Sequence, residues 1–190
     1  RLGSKTGQGF YKKIKKEDGS SEILTLDLNS MDYRANKRAS FSTLEMTKSI
    51  DNVADRFPVL VKGKDKAGEF FRKNFAGLFA YVQNRIPEIT DELYKIDDAM
   101  RAGYGWEHGP FQIWDAVGIE KGIELMKTEG YEIADWVSEM VSSGKETFYT
   151  VKEGSTFYYD IPKKEYVKKP GQDGFIILDN IRKSKEVFKN

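Results

Sequence analysis

The sequence predicts a mainly α-helical fold that carries two short β-hairpins. In the middle of the chain apolar residues recur at three- and four-residue steps, the period of a helix with one buried face. Near both ends they alternate instead with polar residues, which is the period of a strand. The chain has 190 residues, of which 39% are hydrophobic and 13% aromatic, so it can bury a real core rather than remain disordered.

Charge and residue types exclude several classes of function. Lys and Arg number 31 and Asp and Glu 30, a net charge of +1, so no global field favours nucleic acid or an anionic membrane. Because there is no cysteine, the chain has no disulfide, thiolate nucleophile or zinc–thiolate site. No apolar run approaches the roughly 20 residues that span a bilayer, and no signal-peptide pattern opens the chain. We therefore expect a cytoplasmic protein without a membrane span and, because the chain starts at Arg1, a piece of a longer one.

The first hairpin follows a glycine-rich turn. Residues 1–11 hold three glycines, but the first glycine of a P-loop is missing and Lys12 stands where a dinucleotide fingerprint needs its third glycine. We predict a tight turn there and no nucleotide site. Residues 10–15 and 23–28 then form a hairpin around Asp18-Gly19, and residues 30–40 form a polar loop.

Two helices precede the centre of the chain. Residues 41–55 have loosely helical spacing, and Pro58 marks the end of that helix. Residues 65–85 give the clearest helix, because their apolar side chains form one broad face. Pro87 ends or kinks it.

Residues 96–118 predict two short helices joined by a glycine-rich corner. Gly103 and Gly105 stop the first helix, and Gly109-Pro110 opens the second, because proline tolerates the first helical position. Trp106 lies in the corner, where we expect it to be wedged between the helices. The apolar faces of the two helices are formed by Leu93, Ile96, Met100, Phe111, Trp114 and Val117.

The rest of the chain shows the same two kinds of pattern, those of amphipathic helices and of a hairpin. Residues 119–128 and 132–141 are amphipathic helices. Residues 147–151 and 156–161 form a second hairpin around Glu153-Gly154, and residues 175–188 form a final helix.

The two hairpin regions match each other in sequence. Residues 26–33 align without a gap to residues 159–166, and Phe10-Tyr11 matches Phe148-Tyr149. A duplication would make residues 1–55 the tail of a truncated first helical module and residues 56–190 a complete second one. Chance similarity between two hairpins is the alternative.

The corner carries a resemblance to a known family. Residues 96–118 read IDDAMRAGYGWEHGPFQIWDAVG. This text resembles the C-terminal helical domain of the L-3-hydroxyacyl-CoA dehydrogenases, and in particular the large bacterial fatty-acid oxidation proteins in which the dehydrogenase is fused to an enoyl-CoA hydratase. Residues 3–11 are similar to the text that ends the first of two tandem helical modules in those proteins.

The resemblance implies a non-catalytic segment of an NAD-dependent enzyme. The parent would oxidise a 3-hydroxyacyl-CoA in fatty-acid β-oxidation, and NAD and most catalytic residues would belong to an upstream Rossmann domain. The segment would pack on that domain and on the first helical module, and would hold no cofactor or metal. The family's catalytic asparagine has its counterpart near Asn74, where Phe75 replaces the arginine of the motif.

The residues that we single out therefore have structural roles, with no catalytic, cofactor-binding or metal-binding residue among them. His108 is expected to be a surface residue of the corner. Asp97, Asp98 and Asp115 are candidates for acid–base work, but caps and loop anchors are favoured at these spacings. A stand-alone helical protein-docking module is the alternative function. The structural set is Asn74, Asp97, Trp106, Gly109, Pro110, Phe111, Trp114 and Asp115.

Overall fold

A computed structural model describes residues 3–37, 39–174, 176–178 and 180–181. The chain divides into two compact units, residues 1–40 and residues 41–190. The predicted module boundary after residue 55 rests on the sequence repeat and stays a prediction. The predicted mainly α fold with two small β regions is confirmed.

The first unit is a three-stranded antiparallel sheet. After a short 3₁₀ turn, the strands β1 (Tyr11–Lys15), β2 (Ser21–Leu26) and β3 (Tyr33–Ala35) pair in the order β1-β2-β3. The hairpin turn between β1 and β2 uses Gly19 at a φ of 82°, a conformation that glycine adopts without a steric cost. The prediction of a loop over residues 30–40 is wrong at β3. A three-residue strand carries too little alternation to be recognised, and β2 supplies its hydrogen-bond partners.

The second unit contains seven helices among the described residues, followed by a second sheet. The helices are α1 (Ser42–Thr47), α2 (Val53–Lys62), α3 (Lys66–Gln83), α4 (Leu93–Tyr104), α5 (Pro110–Val117), α6 (Ile119–Thr128) and α7 (Asp135–Ser142).

The prediction of one helix over residues 41–55 that ends at Pro58 is wrong. The segment forms two helices, because Asn52 starts α2 by accepting a hydrogen bond from the Ala54 N–H at 3.2 Å. Pro58 lies inside α2, where its missing N–H removes a single hydrogen bond. The burial of Leu60 and Val61 in the next turn outweighs that loss.

Helix α3 is the central element of the core. Its N-cap, Asp65, accepts hydrogen bonds from the Gly68 N–H at 3.0 Å and the Thr43 N–H at 2.9 Å, so one carboxylate starts α3 and fixes α1. These donors hold the pKa of Asp65 well below its usual range. Phe75 and Phe79 face inward and are almost fully buried.

The second sheet closes the unit. Strands β4 (Tyr149–Lys152), β5 (Ser155–Asp160) and β6 (Glu165–Lys168) pair antiparallel in the order β4-β5-β6. The turn between β4 and β5 has positive φ at both Glu153 (49°) and Gly154 (75°), as tight hairpin turns require. Strand β6 lies in a polar segment in which the sequence predicts no strand. The predicted final helix over residues 175–188 falls largely outside the described residues.

Candidate functional site

The glycine-rich corner brings α4 and α5 into direct contact. Helix α4 ends at Gly105, whose φ of 66° is left-handed, and α5 begins after Gly109. A Cβ on Gly109 would lie only 2.3 Å from the Cβ of Asp97, so only glycine fits between the two helices. The start of α5 thereby reaches a buried carboxylate on α4.

Asp97 caps α5 from a different helix. It is 1% exposed, and its Oδ1 accepts a hydrogen bond from the Phe111 N–H at 2.8 Å while its Oδ2 accepts one from the Gln112 N–H at 3.2 Å. The first N–H groups of a helix have no partner within the helix, so an acceptor there stabilises it. The negative charge of the Asp97 carboxylate also lies at the N-terminus of α5, the positive end of the helix dipole.

Asp115 makes the matching contact with the second sheet. Its two oxygens accept hydrogen bonds from the Phe148 N–H at 2.7 Å and the Tyr149 N–H at 2.9 Å. The Tyr149 hydroxyl donates in turn to Asp97 Oδ2 at 2.7 Å. Two carboxylates and one phenol therefore connect α4, α5 and the start of β4.

The electrostatics of this network follow from burial. Burial raises the pKa of Asp97 to about 6 and that of Asp115 to about 7, although the hydrogen bonds that each accepts act in the opposite direction. Burial and the neighbouring Asp97 raise the pKa of Tyr149 above its ordinary value, so Tyr149 stays a donor. The oxygens of both carboxylates are engaged with backbone and phenol donors, which is an arrangement for holding elements together.

Aromatic rings surround the network. Trp114 stacks on Phe79 with the ring centroids 4.8 Å apart, and Phe148 meets both Phe111 and Trp114 edge-on at 5.0 Å. The Trp114 indole N–H donates to the Ile119 carbonyl at 3.1 Å. Such pairs add to the stability gained by burying the rings.

Four other residues noted in the sequence have different surroundings. Asn74 is exposed in the middle of α3, far from either end of that helix, so it caps neither end. Trp106 is partly buried against the core. The His108 ring meets Phe57 edge-on at 5.9 Å, and its side chain is 25% exposed. Asp98 accepts a hydrogen bond from the Lys169 ammonium at 2.8 Å at the rim of a polar cleft.

A second buried polar contact was not found from the sequence. Gln83 is fully buried; its amide donates to the Glu132 carbonyl at 2.7 Å and accepts from the Ala134 N–H at 3.0 Å. The Trp136 indole N–H donates to the Gln83 backbone carbonyl at 3.1 Å. The only signal in the sequence is a polar residue at a position where the apolar period of α3 predicts burial.

An apolar groove of about 500 Å³ lies between α3 and α4. Tyr81 and Ile89 on its rim are 62% and 67% exposed. Its other lining residues include Leu78, Val82, Ile96 and Met100. Exposed apolar surface of this kind is typical of a contact face.

The glycine-rich turn before β1 does not have the geometry of a dinucleotide-binding turn. A dinucleotide site needs a strand that leads through a glycine-rich turn into a helix, whereas Gly7 and Gly9 lead into strand β1 of an antiparallel sheet. Within the described ranges no group of three or more His, Cys, Asp or Glu side chains could hold a metal ion. No helix of the described residues is long and apolar enough to cross a membrane.

Comparison with known proteins gives a family similarity for part of the chain. Residues 78–159, from the C-terminal part of α3 to β5, match the sequence model of the 3-hydroxyacyl-CoA dehydrogenase C-terminal domain. The matched segment contains Asp97, Asp115, Tyr149 and the glycine-rich corner.

Similar proteins extend the match beyond the dehydrogenase domain. A probable 3-hydroxyacyl-CoA dehydrogenase of Bacillus subtilis (strain 168) is 35% identical over 167 residues, which are 88% of this chain and 20% of that protein. A putative fatty acid oxidation complex trifunctional enzyme of Rickettsia felis is 24% identical over 115 residues, 60% of this chain and 14% of that protein. The corresponding enzyme of Rickettsia prowazekii is 22% identical over 125 residues, 66% of this chain and 16% of that protein.

The chain thus spans about a fifth of the Bacillus relative and less of the two Rickettsia relatives. No solved structure matches it with statistical significance.

Proposed function

We propose that this chain is the C-terminal part of a cytoplasmic NAD-dependent L-3-hydroxyacyl-CoA dehydrogenase of fatty-acid β-oxidation, in a protein that also carries an enoyl-CoA hydratase. The parent oxidises a 3-hydroxyacyl-CoA and passes hydride to NAD that is bound by an upstream Rossmann domain. Residues 56–190 act as a second helical module without catalytic residues. Similarity to the Bacillus dehydrogenase over 88% of the chain supports this proposal.

The hydrogen-bond network of Asp97, Asp115 and Tyr149 supports the non-catalytic role of the module. A general base must reach a substrate proton directly or through one water molecule. Asp97 is 1% exposed and already accepts three hydrogen bonds, so it has no access to a substrate. Asp115 is committed to two backbone N–H groups of the second sheet.

The proposed partner of the groove between α3 and α4 is the first helical module of the same protein. The exposed side chains of Tyr81 and Ile89 would be buried in this contact, and burial of apolar surface stabilises the packing of the two modules. A stand-alone docking module would use the same groove for another protein, so the groove by itself does not separate the two functions.

The test is an assay that follows NADH formation from a 3-hydroxyacyl-CoA. We expect activity in the full-length product of the same gene and none in residues 1–190. Activity in neither would overturn the dehydrogenase assignment in favour of a docking module. Activity in residues 1–190 alone would show that the catalytic site has been misplaced.

A charge in the groove tests the proposed partner. We expect Ile89→Glu to leave the folding of residues 1–190 unchanged and to lower the thermal stability of the full-length protein. Glu146→Lys, an exposed change of charge in the segment before β4, is the matched control and should leave both unchanged. Equal stability of Ile89→Glu and wild type in the full-length protein would exclude the groove as the contact with the first module.

A further inference from the structure

The two sheets share side-chain hydrogen bonds at equivalent positions of the repeat. In the first sheet the Tyr33 hydroxyl donates to the Gly9 carbonyl at 2.7 Å. In the second sheet the Tyr166 hydroxyl donates to the Thr147 carbonyl at 2.6 Å. In both cases a tyrosine of the third strand holds the residue that precedes a Phe-Tyr pair.

The backbone of the Phe-Tyr pair is also held in the same way. The Leu26 N–H donates to the Phe10 carbonyl at 2.8 Å, and the Tyr159 N–H donates to the Phe148 carbonyl at 2.8 Å. These four residues occupy equivalent places in the sequence repeat. The register of the first two strands is therefore the same in both sheets.

The turns after the second strands agree as well. Oδ1 of Asp27 and Oδ1 of Asp160 each accept a hydrogen bond from the backbone N–H three residues later, at 3.3 Å and 2.9 Å. Met31 and Lys164, four residues after these aspartates, both have positive φ, 61° and 55°. Two hairpins that were similar only by chance would not share these details, because non-glycine residues rarely adopt positive φ.

The surroundings of the two Phe-Tyr pairs differ sharply. Phe148 is fully buried between aromatic rings of the helical corner. Its counterpart Phe10 is 70% exposed, and Tyr11 is 63% exposed. The first sheet thus presents the aromatic pair that the second sheet buries.

The backbone donors of the pair follow the same contrast. Tyr149 stands opposite Tyr158 in a pair without mutual hydrogen bonds, so its N–H points away from β5 and donates to Asp115. Tyr11 stands opposite Thr25 at the equivalent place, and its carbonyl accepts a hydrogen bond from the Gly9 N–H at 2.9 Å. The Tyr11 N–H points away from β2, as that of Tyr149 points away from β5.

We propose that the Phe10-Tyr11 edge of β1 docks on a helical corner that precedes residue 1 in the longer protein. In this complex Phe10 fills an aromatic pocket and a buried carboxylate of the preceding corner accepts hydrogen bonds from the N–H groups of Phe10 and Tyr11. The proposal rests on the proposed function, because it requires the longer protein. A second copy of this chain fits less well, since its own Phe148 already fills the aromatic pocket of its corner.

Amide hydrogen exchange of the segment around Tyr11 tests the proposal without a substitution. We expect exchange that is slower by on the order of 100-fold in the full-length protein than in residues 1–190, because docking buries the amide. Equal exchange in the two proteins would overturn the proposal. Protection in residues 1–190 that rises with protein concentration would assign the edge to a second copy and overturn it as well.

Matched substitutions give an independent readout. Phe148→Ala should lower the thermal midpoint of residues 1–190 by roughly 10 °C, because it opens a cavity in the core. Phe10→Ala should leave the thermal midpoint of residues 1–190 unchanged. In the full-length protein it should speed amide exchange around Tyr11 by at least about 10-fold. Lys15→Ala, at the far end of β1, is the control and should change neither the thermal midpoint nor the exchange rate around Tyr11. An effect of Lys15→Ala equal to that of Phe10→Ala would overturn the proposed edge contact.

The two proposals fail in different ways. Slow exchange around Tyr11 in a full-length protein that does not oxidise 3-hydroxyacyl-CoA would keep the docking and remove the activity. Oxidation by a full-length protein whose Tyr11 segment exchanges freely would keep the activity and remove the docking.

Discussion

The stability of the second unit should increase when the pH falls from 8 to 5. Burial raises the folded-state pKa of Asp97 to about 6 and of Asp115 to about 7, above the ordinary value of 3.8. Between about pH 4 and pH 7 the folded protein therefore binds more protons than the unfolded chain, so the free energy of unfolding falls as pH rises. This is the reverse of the usual behaviour of a carboxylate, whose folded pKa is lowered.

The magnitude follows from the two titrations. Between pH 8 and pH 5 about two pH units lie below the pKa of Asp115 and about one below that of Asp97, and each unit corresponds to about 1.4 kcal/mol. The sum is roughly 4 kcal/mol for independent groups, and it is smaller here because Asp97 and Asp115 interact. Asp65, whose pKa is lowered, titrates below this window and acts in the opposite direction only in stronger acid.

Urea unfolding followed by tryptophan fluorescence measures this effect. All three tryptophans, Trp106, Trp114 and Trp136, lie in the second unit, so the signal reports that unit alone. Asp115→Asn should remove most of the pH dependence, because an amide does not titrate. Glu120→Gln, which neutralises an exposed carboxylate at the start of α6, is the matched control and should retain it. A free energy of unfolding that is constant or rises from pH 5 to pH 8 in the wild type would refute the reasoning.

Three further substitutions test the packing of the second unit, each measured by the same urea unfolding. Gly109→Ala should destabilise by about 1–3 kcal/mol or more, because its Cβ would lie 2.3 Å from that of Asp97, and a normal stability would show that the corner can open. Gly77→Ala is its control and should stabilise by up to about 1 kcal/mol, because the new Cβ meets only an ordinary contact within α3. Gln83→Met should cost about 1–3 kcal/mol, since it removes two hydrogen bonds of a fully buried amide, and a loss no larger than that of exposed Asn84→Ala would contradict this role.

The fold could be predicted where one signal extended over many residues. The broad apolar face of α3 and the glycines that end α4 and flank α5 gave elements close to those observed. The three- and four-residue strands β3 and β6 were missed, because each is formed by pairing with a neighbour rather than by its own pattern. Pro58 misled the prediction of α2, since the helix tolerates the loss of one hydrogen bond when the following turn is buried.

The contacts of the site were harder to predict than its members. The sequence named Asp97 and Asp115 as caps or anchors, but their partner Tyr149 lies 52 residues from Asp97 along the chain. The partners of Gln83 lie 49 and 51 residues away. Hydrogen bonds over such separations are set by the way in which the helices and the sheet pack, and no local period records them.

Contacts between α4, α5 and β4 account for the residues of the glycine-rich corner without a catalytic role. Gly109 allows the start of α5 to approach α4, and this approach is what places the Asp97 carboxylate on the first N–H groups of α5. Asp115, one turn further along α5, then holds the backbone that carries Phe148 into the aromatic core. Replacing any one of the three would disturb the same joint between α4, α5 and β4. Asp97 and Asp115, which the sequence offers as candidates for acid–base work, thus fix the second sheet to the helical corner. The exposed Phe10-Tyr11 pair of the first sheet is the counterpart of the Phe148-Tyr149 pair that Asp115 holds.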